Sequence, residues 1–268
     1  MKDTKERVNL KKLFILFVFL FCLAGCSSSG QETEGNSQEV VEITVSAAAS
    51  LTDALNEIKT QFENEHQNIK VTFNFGSSGT LQQQILQGAP ADLFFSAAED
   101  KFDELIKKGF INEGNSVDLV GNKIVLVTPK DSQKGIESFS NLKEKADKIS
   151  IGIPETVPAG KYAKEMLEAI GEWESVENKI VYSKDVRQVL TYVETGNVDA
   201  GIVYNTDALI SSKVNVIATA EAGTHTPIIY PIGVINESKN VEEAKVFFTY
   251  MKSENALAIL EKYGFSNL

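Results

Sequence analysis

Cysteine is almost missing from this chain. Its 268 residues hold two, Cys22 and Cys26, both near the N-terminus. If that segment is cleaved and its last residue modified, no thiol is left for a disulfide, a thiolate metal site or a catalytic nucleophile. The fold must then be held by its core alone. Histidine is as scarce, with only His66 and His225, which argues against a zinc site. Positive charge is in deficit, since 26 Lys and Arg against 37 Asp and Glu give a net charge of −11. Such a surface repels nucleic acid, and a small anion binds it only where local donors outweigh the overall field. Long apolar runs are lacking too. The longest, Leu13 to Leu23, falls short of the roughly 20 residues that cross a bilayer as a helix.

What surrounds that run gives it a meaning. Lys2, Lys5, Arg7, Lys11 and Lys12 precede it, and Ala24-Gly25-Cys26 follow it directly. A basic n-region, an apolar h-region and a small-residue exit read as a secretory signal over residues 1–25. Leu23-Ala24-Gly25-Cys26 resembles the lipobox of bacterial lipoproteins. That resemblance implies an exported protein, anchored to the outer face of the cytoplasmic membrane by lipid on Cys26. The competing reading is an uncleaved anchor with an incidental cysteine. Loss of residues 1–25 removes five basic and two acidic side chains, leaving 21 against 35 and a net charge of −14. Residues 26–39 are polar and rich in Gly and Ser, as a flexible tether would be.

The remainder has an ordinary globular balance, and at roughly 100–200 residues per domain it makes one large or two small domains. Val41 to Val45 alternates like a strand, and Leu51, Leu55, Ile58 and Phe62 recur at helical spacing. Val71 to Phe75 and Leu93 to Phe95 read as strands, Leu81 to Leu86 and Phe102 to Lys107 as helices. The pattern restarts after Asn112-Glu113-Gly114. Strands are expected at 124–127, 149–153, 179–182, 200–204 and 214–218, with helices at 162–170 and 186–193. Two amphipathic helices, 241–250 and 256–263, end the chain. Alternating strands and helices imply parallel sheets covered on both faces, and two such units imply two lobes. Ligands of open α/β sheets lie at the carboxyl ends of strands, so the strand-to-helix junctions are the place to search.

Four junctions are small, neutral and rich in donors. The first runs from Ala47 to Asp53, with Ser50 placed as an N-cap and Asp53 three residues on, as in a capping box. The second is Gly76-Ser77-Ser78-Gly79-Thr80. The third is Val157-Pro158-Ala159-Gly160-Lys161, and the fourth is Lys184-Asp185-Val186-Arg187, with Asp185 as a cap. Helix starts expose backbone N–H groups and a partial positive charge, which suits an anion. The plainer reading is that Ser50, Ser78 and Asp185 only cap their helices.

Taken in order, these segments resemble the periplasmic molybdate-binding proteins. The resemblance rests on Ile43-Thr44-Val45 with Ala47 to Thr52, Ser77 to Leu81, and Gly88-Ala89-Pro90-Ala91-Asp92-Leu93-Phe94. It continues through Val157-Pro158-Ala159-Gly160, Tyr162-Ala163, Asp185-Val186-Arg187, Gly201-Ile202-Val203-Tyr204 and Lys262-Tyr263-Gly264-Phe265. It implies an α/β, two-lobed type II solute-binding fold, each lobe a mostly parallel sheet flanked by helices. Lobe I would comprise residues 40–119 and 229–268, and lobe II residues 120–228, with a tetrahedral oxyanion between them. The family's ligand positions fall on Ser50, Ser78, Ala159, Val186 and Tyr204. The serines would give hydroxyl and backbone donors, Ala159 and Val186 backbone N–H alone, and Tyr204 its phenol. Gly79 stands where related sequences often have serine, and is expected to loosen its loop. The resemblance also implies an ABC permease and ATPase pair as partners, the membrane through the N-terminal lipid, a monomer, and no cofactor besides the ligand. It covers molybdate and tungstate alike, both tetrahedral dianions of nearly equal size. Competing functions are a receptor for another oxyanion such as sulfate, and an interaction lipoprotein on the same fold.

Other constellations fail on their own residues. Gly160-Lys161 ends a stretch spaced like a phosphate-binding loop, but Glu155 replaces its first glycine and Tyr162 its Ser/Thr. No G-x-S-x-G nucleophile elbow occurs. His66 ends a polar stretch and reads as solvated, while His225 lies in a Gly/Thr/Pro linker. No enzyme is expected. Arg187, beside a ligand position, pairs either with the anion or with Asp185 or a neighbouring acid. Trp173 reads as a packing residue in a turn.

Overall fold

The computed structural model describes residues 40–268, so the expected signal segment, Cys26 and the whole tether lie outside the described residues. The first part of the fold runs β1 (Val41–Ala48), a 3₁₀ turn (Ala49–Leu51), α1 (Thr52–Glu65), β2 (Ile69–Gly76), α2 (Ser78–Leu86), β3 (Leu93–Phe95), α3 (Glu99–Lys107) and β4 (Ile111–Gly121). The second part runs β5 (Ile124–Pro129), α4 (Leu142–Lys145), β6 (Ile149–Gly152), α5 (Pro158–Ala169), α6 (Trp173–Val176), β7 (Ile180–Ser183), α7 (Val186–Glu194), β8 (Ala200–Tyr204), α8 (Asn205–Leu209) and β9 (Val214–Thr219). β10 (Ile229–Ile235), α9 (Val241–Met251) and α10 (Glu254–Lys262) return to the first part.

Two five-stranded sheets result, ordered β2-β1-β3-β10-β4 and β7-β6-β8-β5-β9. In the first, β1 pairs parallel with β2 and β3, and β10 pairs antiparallel with β3 and β4. Four strands therefore point one way and β10 alone is reversed. The second sheet repeats this, with β6 parallel to β7 and β8, and β5 antiparallel to β8 and β9. Each reversed strand follows a connection between the sheets: Asn122-Lys123 leads into β5, and residues 220–228 lead into β10.

The helical spacing read from the sequence is the packing face of α1, since Leu51, Leu55, Ile58 and Phe62 are fully buried. Each such side chain contributes roughly 1.5–3 kcal/mol through burial. One core cluster runs through both sheets, while Leu81, Ile85, Phe94, Phe102, Leu105, Ile111 and Ile235 form a smaller one under α2 and α3. Phe94 stacks on Phe102 there at 5.9 Å between ring centroids. Trp173 starts the short α6 rather than lying in a turn, and it is buried with Lys164 over its ring.

Sequence reading missed two strands. Asn112-Glu113-Gly114, after which the pattern was expected to restart, lies inside β4, and neither β4 nor β10 had a strand expectation. Both depart from regular pairing. The β10–β4 ladder shifts register at Tyr230/Pro231, where the proline has no N–H to donate, and again between Gly233 and Ile235. His66, expected in solvent, is half-buried with its ring 4.6 Å from that of Phe62. Among the described residues no helix is long and apolar enough to cross a membrane.

Candidate functional site

The carboxyl ends of β1, β2, β6, β7 and β8 converge on one small cavity of about 210 Å³, its mouth included. Ser50, Ser78, Ala159, Val186 and Tyr204 all line it, beside Ala48, Ala49, Gly76, Ser77, Ala97, Val157, Pro158 and Asp185. Residues up to 156 positions apart in the chain, Ala48 and Tyr204, are thus brought together by the ends of two sheets.

Each segment reaches the cavity at the start of a helix or 3₁₀ turn. Ser50 is the middle residue of the 3₁₀ turn, Ser78 is the first residue of α2, Ala159 the second of α5, and Val186 the first of α7. N–H groups at such positions have no acceptor within their own helix, so they are free to serve a ligand. Pro158 suits the start of α5 because its missing N–H is not needed there. Gly160 is required on the same turn, since a Cβ would stand 2.0 Å from the Gly152 carbonyl oxygen at the end of β6.

Two serines are not the caps that the sequence suggested. The N-cap of α1 is Leu51, and the Ser50 hydroxyl bonds instead to the Tyr230 hydroxyl at 2.9 Å. Ser77 is the N-cap of α2 without a side-chain cap bond, while Ser78 Oγ accepts the Ala97 N–H at 2.9 Å. Asp185 does cap, accepting the Gln188 N–H at 2.8 Å. Its carboxylate is therefore directed along its own helix although the residue borders the cavity.

Tyr204 contributes a different kind of group. It is buried at the end of β8, and its hydroxyl is without a hydrogen-bond partner. Burial pushes its phenol well above the ordinary value, with Tyr230 adding to the effect, so it remains a neutral donor at physiological pH. An orphaned, buried donor facing a cavity is costly unless something accepts from it.

Arg187 does not line the cavity. Its Nη2 donates to Asp53 Oδ2 at 2.6 Å, and its Nε lies 2.7 Å from Asp207 Oδ1 with its N–H misaligned. Of the acids that the sequence offered Arg187, Asp185 caps its own helix instead, and the neighbouring acids Asp53 and Asp207 take the pair. Burial pushes the Asp207 carboxyl up to about 6, against the opposing pull of Arg187. Since Asp53 follows the first sheet and Arg187 and Asp207 belong to the second, this ion pair spans the cleft. Gly79 N–H, donating to Thr156 O at 2.9 Å, spans it too, and Lys161 lies 3.4 Å from Asp100. Gly79 does not loosen its loop: it is the buried second residue of α2 and lies so close that a Cβ would be 2.6 Å from Thr156 O.

All five expected residues line the cavity, and between them they carry seven donors: four backbone N–H groups, two serine hydroxyls and one phenol. Among the described residues no lysine or arginine lines the space, and no group of histidines, cysteines and carboxylates is placed to hold a metal cation. Such a lining suits a small, fully deprotonated anion. Sequence reasoning missed Ala97 and Tyr230, which bond to the two serine hydroxyls, and Asn122, which bonds to Tyr230; none of the three carried a local signal.

A profile of bacterial extracellular solute-binding proteins matches residues 43–266. A Bacillus subtilis (strain 168) protein, provisionally named ABC transporter substrate-binding lipoprotein YvgL, is 54% identical over 95% of this chain and 97% of its own length. The molybdate-binding protein ModA of Escherichia coli (strain K12) is 41% identical over 84% of this chain and 89% of its own. Among solved structures, the substrate-binding domain of a provisionally assigned molybdenum ABC transporter from Clostridium difficile superposes with a TM-score of 0.67. It is 40% identical and covers 85% of this chain and 99% of that one.

Proposed function

The chain belongs to the bacterial extracellular solute-binding proteins, and we propose that it captures molybdate, and tungstate with it, for an ABC importer. The observation that carries this reading is the cavity itself: seven neutral donors, no lining cation, and a buried Tyr204 hydroxyl with no acceptor of its own. Relatives named for molybdate binding support the choice of anion.

In this reading Ser50 and Ser78 each give a hydroxyl and a backbone N–H, Ala159 and Val186 each give a backbone N–H, and Tyr204 gives its phenol. Hydrogen bonds to a charged acceptor are worth roughly 1.5–3 kcal/mol each, so seven supply on the order of 10–20 kcal/mol before costs. Ordering the ligand and closing the lobes takes several kcal/mol of that, which leaves micromolar affinity, about −8 kcal/mol, or better. Helix starts stabilise the charge by about 0.3–1 kcal/mol each. The protein's role is binding rather than catalysis, with no cofactor besides the ligand. Its partners are a permease and ATPase pair, and a lipid on Cys26 holds the monomer at the outer face of the cytoplasmic membrane.

Calorimetric titration with molybdate, tungstate and sulfate tests the assignment. Molybdate and tungstate are expected to bind tightly. Sulfate, with shorter bonds that leave some donors stretched, is expected to bind much more weakly. Sulfate binding best would reassign the ligand, and silence toward all three would favour an interaction lipoprotein.

A further inference from the structure

We propose that Tyr230, itself oriented by Asn122, is a positioning residue that turns the Ser50 hydroxyl into an obligatory donor toward the bound anion. This rests on the reading of Ser50 as a ligand contact, and it follows from counting protons along one buried chain of hydrogen bonds.

The Asn122 side chain fixes the direction of that chain. Its Oδ1 accepts the Lys123 backbone N–H at 2.8 Å, so its NH₂ group faces the other way, toward Thr206 Oγ1 at 3.0 Å and Tyr230 Oη at 3.2 Å. An amide nitrogen only donates, so Tyr230 Oη is an acceptor in that contact. Tyr230 is fully buried, and its own proton needs an acceptor. Ser50 Oγ, 2.9 Å away, is the acceptor its hydrogen bonds provide. The opposite arrangement, with Ser50 donating, would leave Tyr230 accepting twice and its buried O–H unpaired, since the neighbouring Tyr204 hydroxyl is not in hydrogen-bond geometry with any group. With Tyr230 donating, the Ser50 proton cannot point back and is free for the cavity that Ser50 lines. Burial raises the Tyr230 phenol far above its ordinary value, so this proton is not lost at physiological pH.

The placement of the relay matters as much as its polarity. Asn122 lies on the first connection between the sheets, and Tyr230 is the second residue of β10, just past the other connection. Thr206 follows Tyr204 by two residues in the opposite lobe. The hydroxyl of Ser50 is thus oriented from the two places where the chain crosses between the lobes. A donor-only Ser50 favours an oxyanion without protons, whereas hydrogenphosphate brings an O–H that finds no acceptor there.

A double-mutant cycle separates this from a structural role. Wild type, Ser50→Ala, Tyr230→Phe and the double variant are titrated with sodium molybdate, and with inorganic phosphate by competition, with melting curves alongside. Tyr230→Phe is expected to weaken molybdate binding about tenfold, as loss of one oriented hydrogen bond to an anion should. It should leave phosphate unchanged, so that the molybdate-to-phosphate ratio falls. In the Ser50→Ala background it should add less than about a twofold loss. An equal loss in both backgrounds, or for both anions, would mean that Tyr230 only packs, and the proposal would be overturned. A silent Tyr230→Phe beside an effective Ser50→Ala would overturn the relay alone. A silent Ser50→Ala would overturn the relay together with the ligand reading. If Tyr230→Phe does not fold, Asn122→Ala takes its place in the cycle. Its expected loss is smaller, about threefold, and should likewise vanish when Ser50 is alanine; an additive loss would overturn the proposal.

Discussion

The two lobes present donors to the cavity in different states of readiness. On the first sheet both hydroxyls are already engaged: Ser50 with Tyr230, and Ser78 with the Ala97 N–H. Each hydroxyl is fixed by an atom of its own lobe, and each keeps a proton for the ligand. The second sheet offers bare backbone N–H groups at Ala159 and Val186, and a phenol at Tyr204 that nothing in the protein satisfies. One half of the site is thus set before a ligand arrives, while the other carries an unmet donor whose penalty disappears only on binding. Preset donors lower the ordering cost of binding, and an orphaned one favours the liganded, closed state.

Arg187 is where breaking this arrangement should have the largest effect, because it ties the halves together through Asp53 and Asp207. Arg187→Ala leaves Asp207 buried without its counter-charge. We expect a loss of roughly 3 kcal/mol, at the low end for a broken buried pair because Arg187 is itself part-exposed. Urea unfolding of the unliganded protein reads this directly, and a change below about 0.5 kcal/mol would show that the pair is not structural.

Asp207 gives the second-largest effect, and it has a sign. Its folded-state pKa is raised to about 6 from an ordinary 3.8, so the folded protein binds this proton more readily than the unfolded chain. The stability from that preference is present in full below pH 3.8 and is lost as pH rises through 6. Between pH 7 and 4.5 the wild type should therefore gain about 2 kcal/mol relative to Asp207→Asn. Denaturation of both proteins at the two pH values checks it, and a relative loss on acidification would contradict the direction.

Ser78→Ala and Tyr204→Phe sharpen the contrast between the lobes most closely. Both should weaken molybdate binding by about 1.5–3 kcal/mol through one lost hydrogen bond to an anion. Their effects on the free protein should differ. Ser78→Ala strands the Ala97 N–H and should destabilise by about 1–3 kcal/mol, whereas Tyr204→Phe removes an unsatisfied hydroxyl and should be neutral or stabilising. Melting curves without ligand distinguish them, and equal destabilisation would erase the distinction.

Much of this was legible in the sequence because it is local. Helical spacing in α1, the small neutral junctions after strands, and Asp185 at a helix start are all written within a few residues. Both sheets were legible as mostly parallel, since strand–helix alternation carries direction. The reversed strand β10 was not, because Pro231 and Gly233 interrupt a strand signal and the register shift that accommodates the proline is set by β4. The serines were misread as caps for a related reason: Ser50 meets Tyr230, 180 positions along the chain, and Ser78 meets the segment after β3. A cap signature records only what a side chain can reach nearby, and here tertiary partners took both hydroxyls.

The most direct test of a donor-only cavity is a calorimetric comparison of molybdate with hydrogenphosphate at neutral pH and equal ionic strength. Molybdate carries no proton under these conditions, while hydrogenphosphate brings one, and the one carboxylate among the lining residues, Asp185, already accepts the Gln188 N–H. Molybdate at micromolar affinity or tighter, with phosphate at least about a hundredfold weaker, is the expected result, since an unpaired buried O–H costs roughly 1–3 kcal/mol on top of poorer geometry. Phosphate binding as tightly as molybdate would contradict it.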